Sequence, residues 1–320
     1  MLNYGEKRKT MTSKDVDNNP IVVSISCITY NHAPYIRQCL DGFMMQHTNF
    51  AFEVLIHDDA STDGTTEIIK EYETRYPDVI KPIYEEENQW VKGRRGSAVF
   101  NFPRARGKYI ALCEGDDYWT DPLKLQKQVD FLESNINCSL CFHRVKVMYD
   151  NNIDGKDCFA PIEPGICTLD YMLENWVIPT CSVIFLRDII NRIPQNPKFK
   201  YSDNVLFLTC FSVGEVCCVD GVMGVYHRHD NGWTMDKNPM ELMKMQYVHF
   251  HALLESFPML DLSILHGRVL DMATHLLLFK YRSLLNDEKE LIHYDLKNNF
   301  IGICRRIVQK CMKRFLSLFL

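Results

Sequence analysis

The sequence lacks the glycine-rich motifs by which many α/β proteins hold phosphate groups. No GxGxxG follows the first apolar segment, and neither a P-loop lysine motif nor a GxSxG elbow occurs in the 320 residues. Rossmann-type dinucleotide sites, P-loop nucleotide sites and GxSxG hydrolases are therefore excluded. If this chain binds phosphates, it must neutralise their charge by other means.

Long apolar segments are missing as well. No apolar run approaches the roughly 18 residues of a membrane-spanning helix, and residues 1–19 are polar, without the apolar core of a signal peptide. We expect a flexible N-terminal arm on a cytoplasmic protein.

The net charge of -5 argues against a broad basic face for nucleic acid. The thirteen scattered cysteines indicate reduced core thiols in a chain of this length.

Short β-branched runs alternate with helical patterns in the first part of the chain. Strands are predicted at 21–28, 52–58, 79–84 and 108–113. Helices follow the first, second and fourth, and a loop with a short helix that ends at Gly107 follows the third. This alternation predicts an α/β fold with a mainly parallel sheet, in which ligands collect at the carboxyl ends of the strands. Polar clusters follow three of the strands: Thr29-Tyr30-Asn31, Asp58-Asp59 and Asp116-Asp117.

The stretch CEGDDYW, Cys113 to Trp119, concentrates negative charge where the fourth strand ends. Neighbouring carboxylates repel one another, and a divalent cation held by their hard oxygen atoms would relieve that repulsion. The same cation would bridge to a diphosphate, which the chain has no glycine-rich loop to bind. The sequence therefore predicts a Mn²⁺ or Mg²⁺ site at Asp116-Asp117; solvated turn acids are the alternative.

Three segments together resemble the family-2 glycosyltransferases of bacterial surface-polysaccharide synthesis. They are VSISCITYNHAPYIRQCLDGFMMQ, FEVLIHDDASTDGT and GKYIALCEGDDYWTDPLKLQKQVDFLE, which occur in the family's order within residues 21–235. The resemblance implies a GT-A fold. This is a Rossmann-like α/β fold in which helices flank a mixed, mainly parallel sheet. The resemblance also implies inverting transfer from a nucleotide-sugar, with a UDP-sugar as the expected donor, to a glycan or lipid-linked acceptor.

By this resemblance, specific positions take family roles. Asp117 is the expected metal ligand, with Asp116 near the donor ribose or a metal-bound water, and His229 is a further candidate for the metal or phosphate. Asp59 is expected to accept the hydrogen bond of the donor base, and the loop of Lys92, Arg94 and Arg95 lies where family members approach the phosphates. The turn Thr29, Tyr30 and Asn31 matches the nucleotide-contacting turn, with packing as the alternative for Tyr30. For Asp59 the alternative is to favour the positive end of the next helix, for the basic loop it is solvated surface charge, and for His229 it is a satisfied loop histidine.

The resemblance also implies which residues act as the catalytic base and bind the acceptor. Asp203, in KYSDNVLFL, matches the acid that takes the proton of the acceptor hydroxyl, although an acid at a helix start is equally typical of an N-cap. Thr180-Cys181-Ser182 is expected near the acceptor. Trp119 and Trp233 are candidates for stacking on sugars, with core packing as the alternative.

The C-terminal part departs from the family pattern. We divide the chain into the arm 1–19, a transferase domain 20–238 with halves 20–135 and 136–238, and a helical extension 239–320. The end of the extension places apolar residues at helical spacing among five cations without an acid, which suits an anionic membrane surface or docking on protein. The apolar residues are Val308, Cys311, Met312, Phe315, Leu316 and Phe319; the cations are Arg305, Arg306, Lys310, Lys313 and Arg314.

Two other functions remain open from the sequence. A sugar-nucleotide nucleotidyltransferase would use a similar sheet, but its glycine-rich basic loop is replaced here by TYNHAPY after the first strand. A non-catalytic nucleotide- or glycan-binding module would keep the same binding residues without turnover. Neither the sugar, the acceptor nor the oligomeric state follows from the sequence.

Overall fold

The structure of the protein, a computed structural model, describes residues 20–94, 96–150, 153–154, 158–229, 238–279 and 286–316. These residues form two compact units. The first contains the described residues up to Ile193 together with Val213–His229, and the second contains Pro194–Ser212 with the described residues from 238 onward. From the sequence we expect a single domain boundary near residue 238. In the structure, the earlier segment 194–212 also groups with the C-terminal helices.

One half of the sheet consists of parallel strands. They are β1 (Ile21–Thr29), β2 (Ala51–Asp58), β3 (Ile80–Tyr84) and β4 (Tyr109–Leu112), in the order β3-β2-β1-β4. The central strand β1 pairs with β2 on one side and with β4 on the other. Since the strands run in one direction, their carboxyl ends share one edge of the sheet.

The other half of the sheet contains strands of both directions. They are β5 (Tyr118–Trp119), β6 (Cys138–Tyr149), β7 (Ile153–Asp154), β8 (Gly165–Cys167), β9 (Ile184–Leu186) and β10 (Glu215–Arg228). The order continues as β4-β9-β6-β10-β5, with β7 and β8 at the sides of β6 and β10. Strand β9 is antiparallel to both neighbours, whereas the long strands β6 and β10 are parallel.

Helices cover the sheet of the first unit and bury its central strands. They are α1 (Ile36–Met44), α2 (Thr65–Arg75), α3 (Ser97–Phe100), α4 (Lys124–Ser134) and α5 (Leu169–Glu174). In β1 the five consecutive residues Val23–Cys27 are buried, so both faces of this strand are covered, as the continuous apolar run predicts. The expected α/β fold with a mixed sheet flanked by helices is confirmed. The cysteines whose side chains the structure describes, which leaves out Cys311, are free thiols.

Two of the cations between residues 85 and 107 have internal roles. The Arg104 guanidinium donates hydrogen bonds to the carbonyls of Lys81 and Ile56, at 2.8 Å each. Arg106 donates to the buried carboxylate of Glu53 at 2.8 Å. Both arginines therefore tie the loop to the sheet and are not free to reach a phosphate.

The second unit is helical. It contains α6 (Ser202–Phe211), α7 (Pro239–Ser256), α8 (Ser263–Phe279) and α9 (Asn286–Leu316), which confirms the expected helical extension. Tyr247, Val269 and Ile292 belong to its apolar core, and the buried Asp295 accepts hydrogen bonds from Tyr247 and His251. Among the described residues, we find no helix that combines the length and apolar character needed to cross a bilayer.

Candidate functional site

The residues predicted to form the nucleotide and metal site lie at the edge of the sheet where the parallel strands end. The turn after β1 holds Thr29 to Asn31, and β2 ends in Asp58, which pairs in register with Thr29. The acidic turn, residues 114–117, follows β4 and contacts the end of β1 through a hydrogen bond from the Gly115 N–H to the Ile28 carbonyl. The predicted convergence of these polar clusters is therefore present in the structure.

A compact group of metal-ligating side chains forms at this edge. The Oδ2 atom of Asp116 lies 2.9 Å from Nε2 of His229 and 3.8 Å from Nε2 of His32. One ligand atom from each of the three residues lies within 4.8 Å of the others. The group unites the turn after β1, the acidic turn and the residue that follows β10.

The charges within this group favour metal binding. Burial alone would raise the pKa of Asp116, but the neighbouring His32 and His229 outweigh it and hold this pKa below its ordinary value. Burial lowers the pKa of His32, which outweighs the opposite effect of Asp116. An ionised carboxylate beside a neutral imidazole is the protonation state that a metal ion requires of its ligands.

The ring of Tyr35 packs beside the histidine rings of this region. The Tyr35 ring lies 4.9 Å from the ring of His229 and 4.5 Å from that of His227, and its hydroxyl donates to Asp150 at 3.0 Å. Neither His32 nor Tyr35 was predicted as a site residue. The signal was their position in NHAPY, directly after the polar end of β1. The contacts with His227 and His229 arise only in the fold.

The second acid of the turn has a different environment from the first. The Asp117 side chain is only 3% exposed, and its Oδ1 accepts the backbone N–H of His227 at 2.8 Å. Burial and then the charges of Asp116 and Glu114 raise the pKa of Asp117 well above its ordinary value. Asp117 thus joins the acidic turn to the end of β10, whereas Asp116 belongs to the group of ligand atoms.

Gly115 is required by packing against the protein itself. A Cβ atom at this position would lie 2.6 Å from Oγ1 and 2.8 Å from Cβ of Thr29, both closer than a Cβ atom approaches other heavy atoms. The acidic turn can therefore lie against β1 only with glycine here. Thr29 itself is buried, so its side chain supports the turn.

The residues predicted to contact the donor also hold the loops at this edge. Asp59 accepts the N–H groups of Gln89 and Trp90, at 2.6 and 3.2 Å, and thereby fixes the segment after β3. Asn31, with a φ of 53°, accepts the Thr62 N–H at 2.8 Å. Tyr30 presents an exposed ring.

The predicted basic loop is partly ordered by its own contacts. The exposed Arg94 donates to Oε1 of Gln89 at 3.2 Å and lies 5.2 Å from the centre of the Phe100 ring. Through Gln89 it is connected to Asp59. Lys92 pairs with Glu87 at 2.5 Å on the surface, and Arg95 lies outside the described residues.

Two of the predicted acceptor residues are buried. Trp119 is 2% exposed and donates its indole N–H to the Cys181 carbonyl at 2.7 Å. Ser182 is fully buried, and its carbonyl accepts from the Gln128 side chain at 2.9 Å. Side chains buried to this degree have no surface for a sugar, so they position the 3₁₀ turn Thr180–Ser182. Thr180 is half-buried.

Asp203 belongs to the second unit, in the first turn of α6. It does not cap the helix: the N-cap is Tyr201, and the Asp203 carboxylate accepts the N–H of Asn204 at 2.8 Å. Burial raises the pKa of Asp203 above its ordinary value. Trp233 and Thr234, from the segment that resembles the family's closing motif, lie outside the described residues.

Comparison with known proteins identifies the first unit. The sequence profile "Glycosyl transferase family 2" matches residues 24–193. An uncharacterized protein of Mycobacterium tuberculosis is 41% identical over 212 residues, which cover 66% of this chain and 60% of that protein. The chain thus matches less than two thirds of the length of this relative.

Two further comparisons extend the similarity. The Escherichia coli enzyme WfaP, a UDP-Glc:alpha-D-GlcNAc-diphosphoundecaprenol beta-1,3-glucosyltransferase, is 27% identical over 230 residues, 71% of this chain and 85% of WfaP. The crystal structure of Staphylococcus aureus TarS 1-349 in complex with UDP superposes with a TM-score of 0.57. It covers 84% of this chain and 77% of the TarS chain at 17% identity, which establishes a shared fold.

Proposed function

The chain belongs to glycosyl transferase family 2, and from that membership we propose that it transfers a sugar from a nucleotide-sugar to a hydroxyl group of a glycan or lipid-linked acceptor, with inversion. The donor is a UDP-sugar and the process is polysaccharide biosynthesis. The observation that carries the proposal is the group His32, Asp116 and His229 at the carboxyl edge of the sheet. WfaP, whose name specifies UDP-Glc and a lipid-linked diphosphate acceptor, supports this choice of substrates.

The three ligand atoms fit a divalent cation of the Mn²⁺ or Mg²⁺ type. Carboxylate oxygen and imidazole nitrogen both suit Mn²⁺, and the carboxylate also suits Mg²⁺. Asp116 and His229 would hold the ion, with His32 as a third ligand. When bound, the metal ion stabilises the negative charge of the leaving diphosphate. Asp117 was expected to be the direct ligand; in our proposal it positions the turn through the His227 N–H.

The remaining residues at this edge bind and orient the donor. Each oxygen of Asp59 already accepts one backbone N–H and retains a second lone pair, with which the carboxylate accepts the N3–H of uracil. The exposed ring of Tyr30 lines the base. Thr29 and Asn31 hold the turn that approaches the nucleotide, and Arg94 contacts the phosphates from the loop that Asp59 fixes.

Asp203 acts as the general base of the transfer. Its carboxylate accepts the proton of the acceptor hydroxyl while that oxygen attacks the anomeric carbon, and the nucleoside diphosphate leaves from the opposite side. The raised pKa of Asp203 suits this role because a base accepts a proton more readily as its pKa approaches the working pH. Such a base contributes roughly 10²- to 10⁴-fold to the rate.

The helical extension is proposed to bind an anionic membrane surface. Ile301 and Val308, seven residues apart in the part of α9 that follows its kink at Asn299, are 78% and 57% exposed, so this apolar stripe does not pack within its own unit. Exposed Arg305 lies beside it, and four further cations follow in sequence. Two copies of this stripe would bring like charges together, whereas anionic lipid complements them.

The central experiment is a screen of UDP-, GDP- and dTDP-sugars for nucleotide release, with Mn²⁺, with Mg²⁺ and with EDTA. We expect release from a UDP-sugar, lost in EDTA. Activity that requires a nucleoside triphosphate would instead indicate a nucleotidyltransferase. Binding heat with UDP and Mn²⁺ but no turnover with any donor would indicate a binding module.

A matched pair of variants separates the roles of the two acids. Asp116→Asn should abolish detectable Mn²⁺ binding in isothermal titration calorimetry, because it removes the charged ligand oxygen. Asp117→Asn keeps an oxygen that accepts the His227 N–H, so Mn²⁺ should bind with an affinity within about threefold of the wild type. The reverse pattern would assign the metal to Asp117 and refute our assignment.

A further inference from the structure

A large aromatic side chain is exposed on the surface of the first unit. Trp176 is 60% exposed, although its backbone is hydrogen-bonded and the residues that follow it are buried. Its carbonyl accepts the Ala160 N–H at 2.7 Å, and the next two residues, Val177 and Ile178, are each 2% exposed. The backbone is therefore anchored while most of the indole surface faces solvent.

The exposed indole is the outer end of a row of three rings. Trp176 meets Phe159 edge to face, with ring centres 6.0 Å apart and an interplanar angle of 89°. Phe159 in turn meets Tyr226 at 5.1 Å and 85°. Such perpendicular contacts are favourable aromatic arrangements and fix the orientation of each ring. The row leads from the surface into strand β10.

The inner end of the row reaches the acidic turn. Tyr226 immediately precedes His227, whose N–H binds the Asp117 carboxylate. Burial, followed by the charges of Asp117, Glu114 and Asp116, raises the pKa of Tyr226 above its ordinary value. Tyr226 thus lies within the electrostatic field of the turn that carries the proposed metal ligand. An isolated exposed tryptophan needs no explanation, but one connected by edge-to-face ring contacts to Tyr226, the neighbour of His227, does.

We infer that Trp176 is the stacking platform for a sugar ring of the acceptor. One face of a pyranose presents C–H groups, which pack on an aromatic ring, while its hydroxyl groups stay in water or bind polar neighbours. Because Phe159 fixes the indole from one side, the ring is oriented before a ligand arrives, which lowers the entropy lost on binding. The inference rests on the proposed glycosyl transfer and names the acceptor as a carbohydrate at this position.

Trp176 also replaces the tryptophan that the sequence suggested. Trp119 and Trp233 were the candidates for stacking on a sugar. Trp233 lies outside the described residues, and the Trp119 ring is buried against Phe43, with centres 4.8 Å apart. Trp176, unlike Trp119, has the open surface that stacking requires. Its distinguishing feature in the sequence is its place in the segment NWVIPT, which links α5 to the buried turn Thr180–Ser182.

The test combines binding and kinetics on the full chain. Saturation-transfer NMR with methyl glucoside, methyl galactoside and methyl N-acetylglucosaminide, in the presence of UDP and Mn²⁺, reports contact with the ring C–H protons. We expect a signal from at least one of these sugars with the wild type and with Trp176→Tyr, and its loss with Trp176→Ala. For transfer to that sugar, Trp176→Ala should raise the acceptor KM about tenfold, with less than twofold change in the donor KM.

Ile166→Ala is the matched control. Ile166 is 64% exposed in the same unit and has no part in the proposed site, so its truncation should leave both KM values unchanged. The inference is overturned if no sugar gives a signal with the wild type, or if Trp176→Ala matches the wild type. It is also overturned if Trp176→Ala changes only the oligomeric state in light scattering, because the exposed ring would then be a protein contact. Failure of the glycosyl transfer itself would appear separately, as absent nucleotide release in the donor screen.

Discussion

A lysine buried in the core offers a quantitative test of the structure. Lys124, at the start of α4, has no exposed surface, and its Nζ has no hydrogen-bond partner among the described residues. The ammonium lies 3.8 Å from the centre of the Trp119 ring, an attraction that offsets part of the cost of removing its charge from water. Burial lowers the pKa of Lys124 from 10.5 to about 7.

The direction of the pH effect follows from proton binding. Between pH 7 and 10.5 the unfolded chain binds a proton at this lysine that the folded chain does not, so the free energy of unfolding rises with pH. With these two pKa values, the contribution of Lys124 increases by about 2 kcal/mol between pH 6.5 and 8.5. The groups around the ammonium are Cys113, Cys141, Cys181 and His143. In the folded state their pKa values lie outside this window, His143 at about 3 and the thiols raised by burial.

The perturbation is Lys124→Met, which removes the charge and keeps a side chain of similar length. Urea unfolding at a series of pH values gives the free energy of unfolding of variant and wild type. We expect the variant's advantage over the wild type to shrink by about 2 kcal/mol from pH 6.5 to 8.5. Other titrating groups affect both proteins equally and cancel in the difference.

Lys127→Met provides the control on the same helix. Lys127 is half exposed and pairs with Asp121 at 2.5 Å, so its difference from the wild type should not vary with pH in this window. If the difference for Lys124→Met stayed constant within about 0.5 kcal/mol, the ammonium would not be buried as the structure has it, and the reasoning would fail.

Two further predictions follow from the proposed function. The Asp203→Asn variant should bind UDP and Mn²⁺ like the wild type in calorimetry. Its sugar transfer should be slower by about 10²- to 10⁴-fold, because the amide cannot accept the hydroxyl proton. A full transfer rate in this variant would show that Asp203 is not the base. Ile301→Asp on α9 should weaken cosedimentation with phosphatidylglycerol vesicles about tenfold, since it places an anion in the apolar stripe. Met259→Asp, at an equally exposed apolar position outside α9, should have little effect, and equal losses from both would contradict a specific membrane face.

Much of the fold could be predicted because local patterns encode it. The β-branched run that ends at Ile28 forms the buried strand β1, and the strand predicted at 52–58 lies within β2, Ala51–Asp58. The residues at the strand ends could also be predicted, since carboxyl ends of parallel strands share an edge. Asp116 and Asp59 were found in this way.

Other features depend on contacts between distant segments. His229 meets Asp116 across 113 residues, and the two-residue strand β5 buries Trp119 by pairing with Gly224 and Val225 of β10. From the sequence, Trp119 was a candidate sugar platform, whereas Trp176 was not singled out. Their exposures of 2% and 60% are decided by which neighbours the fold supplies.

The sequence by itself determined the strands, the helices and the polar groups at the strand ends, because hydrophobic period and turn residues act over a few positions. Only the tertiary structure decided which of the two turn acids joins the histidines, which tryptophan stays exposed, and that Lys124 is enclosed. A side chain's partners and its exposure are set by segments far away in the chain. The same charged residue can therefore lie in solvent or in the core, with no difference in its local sequence.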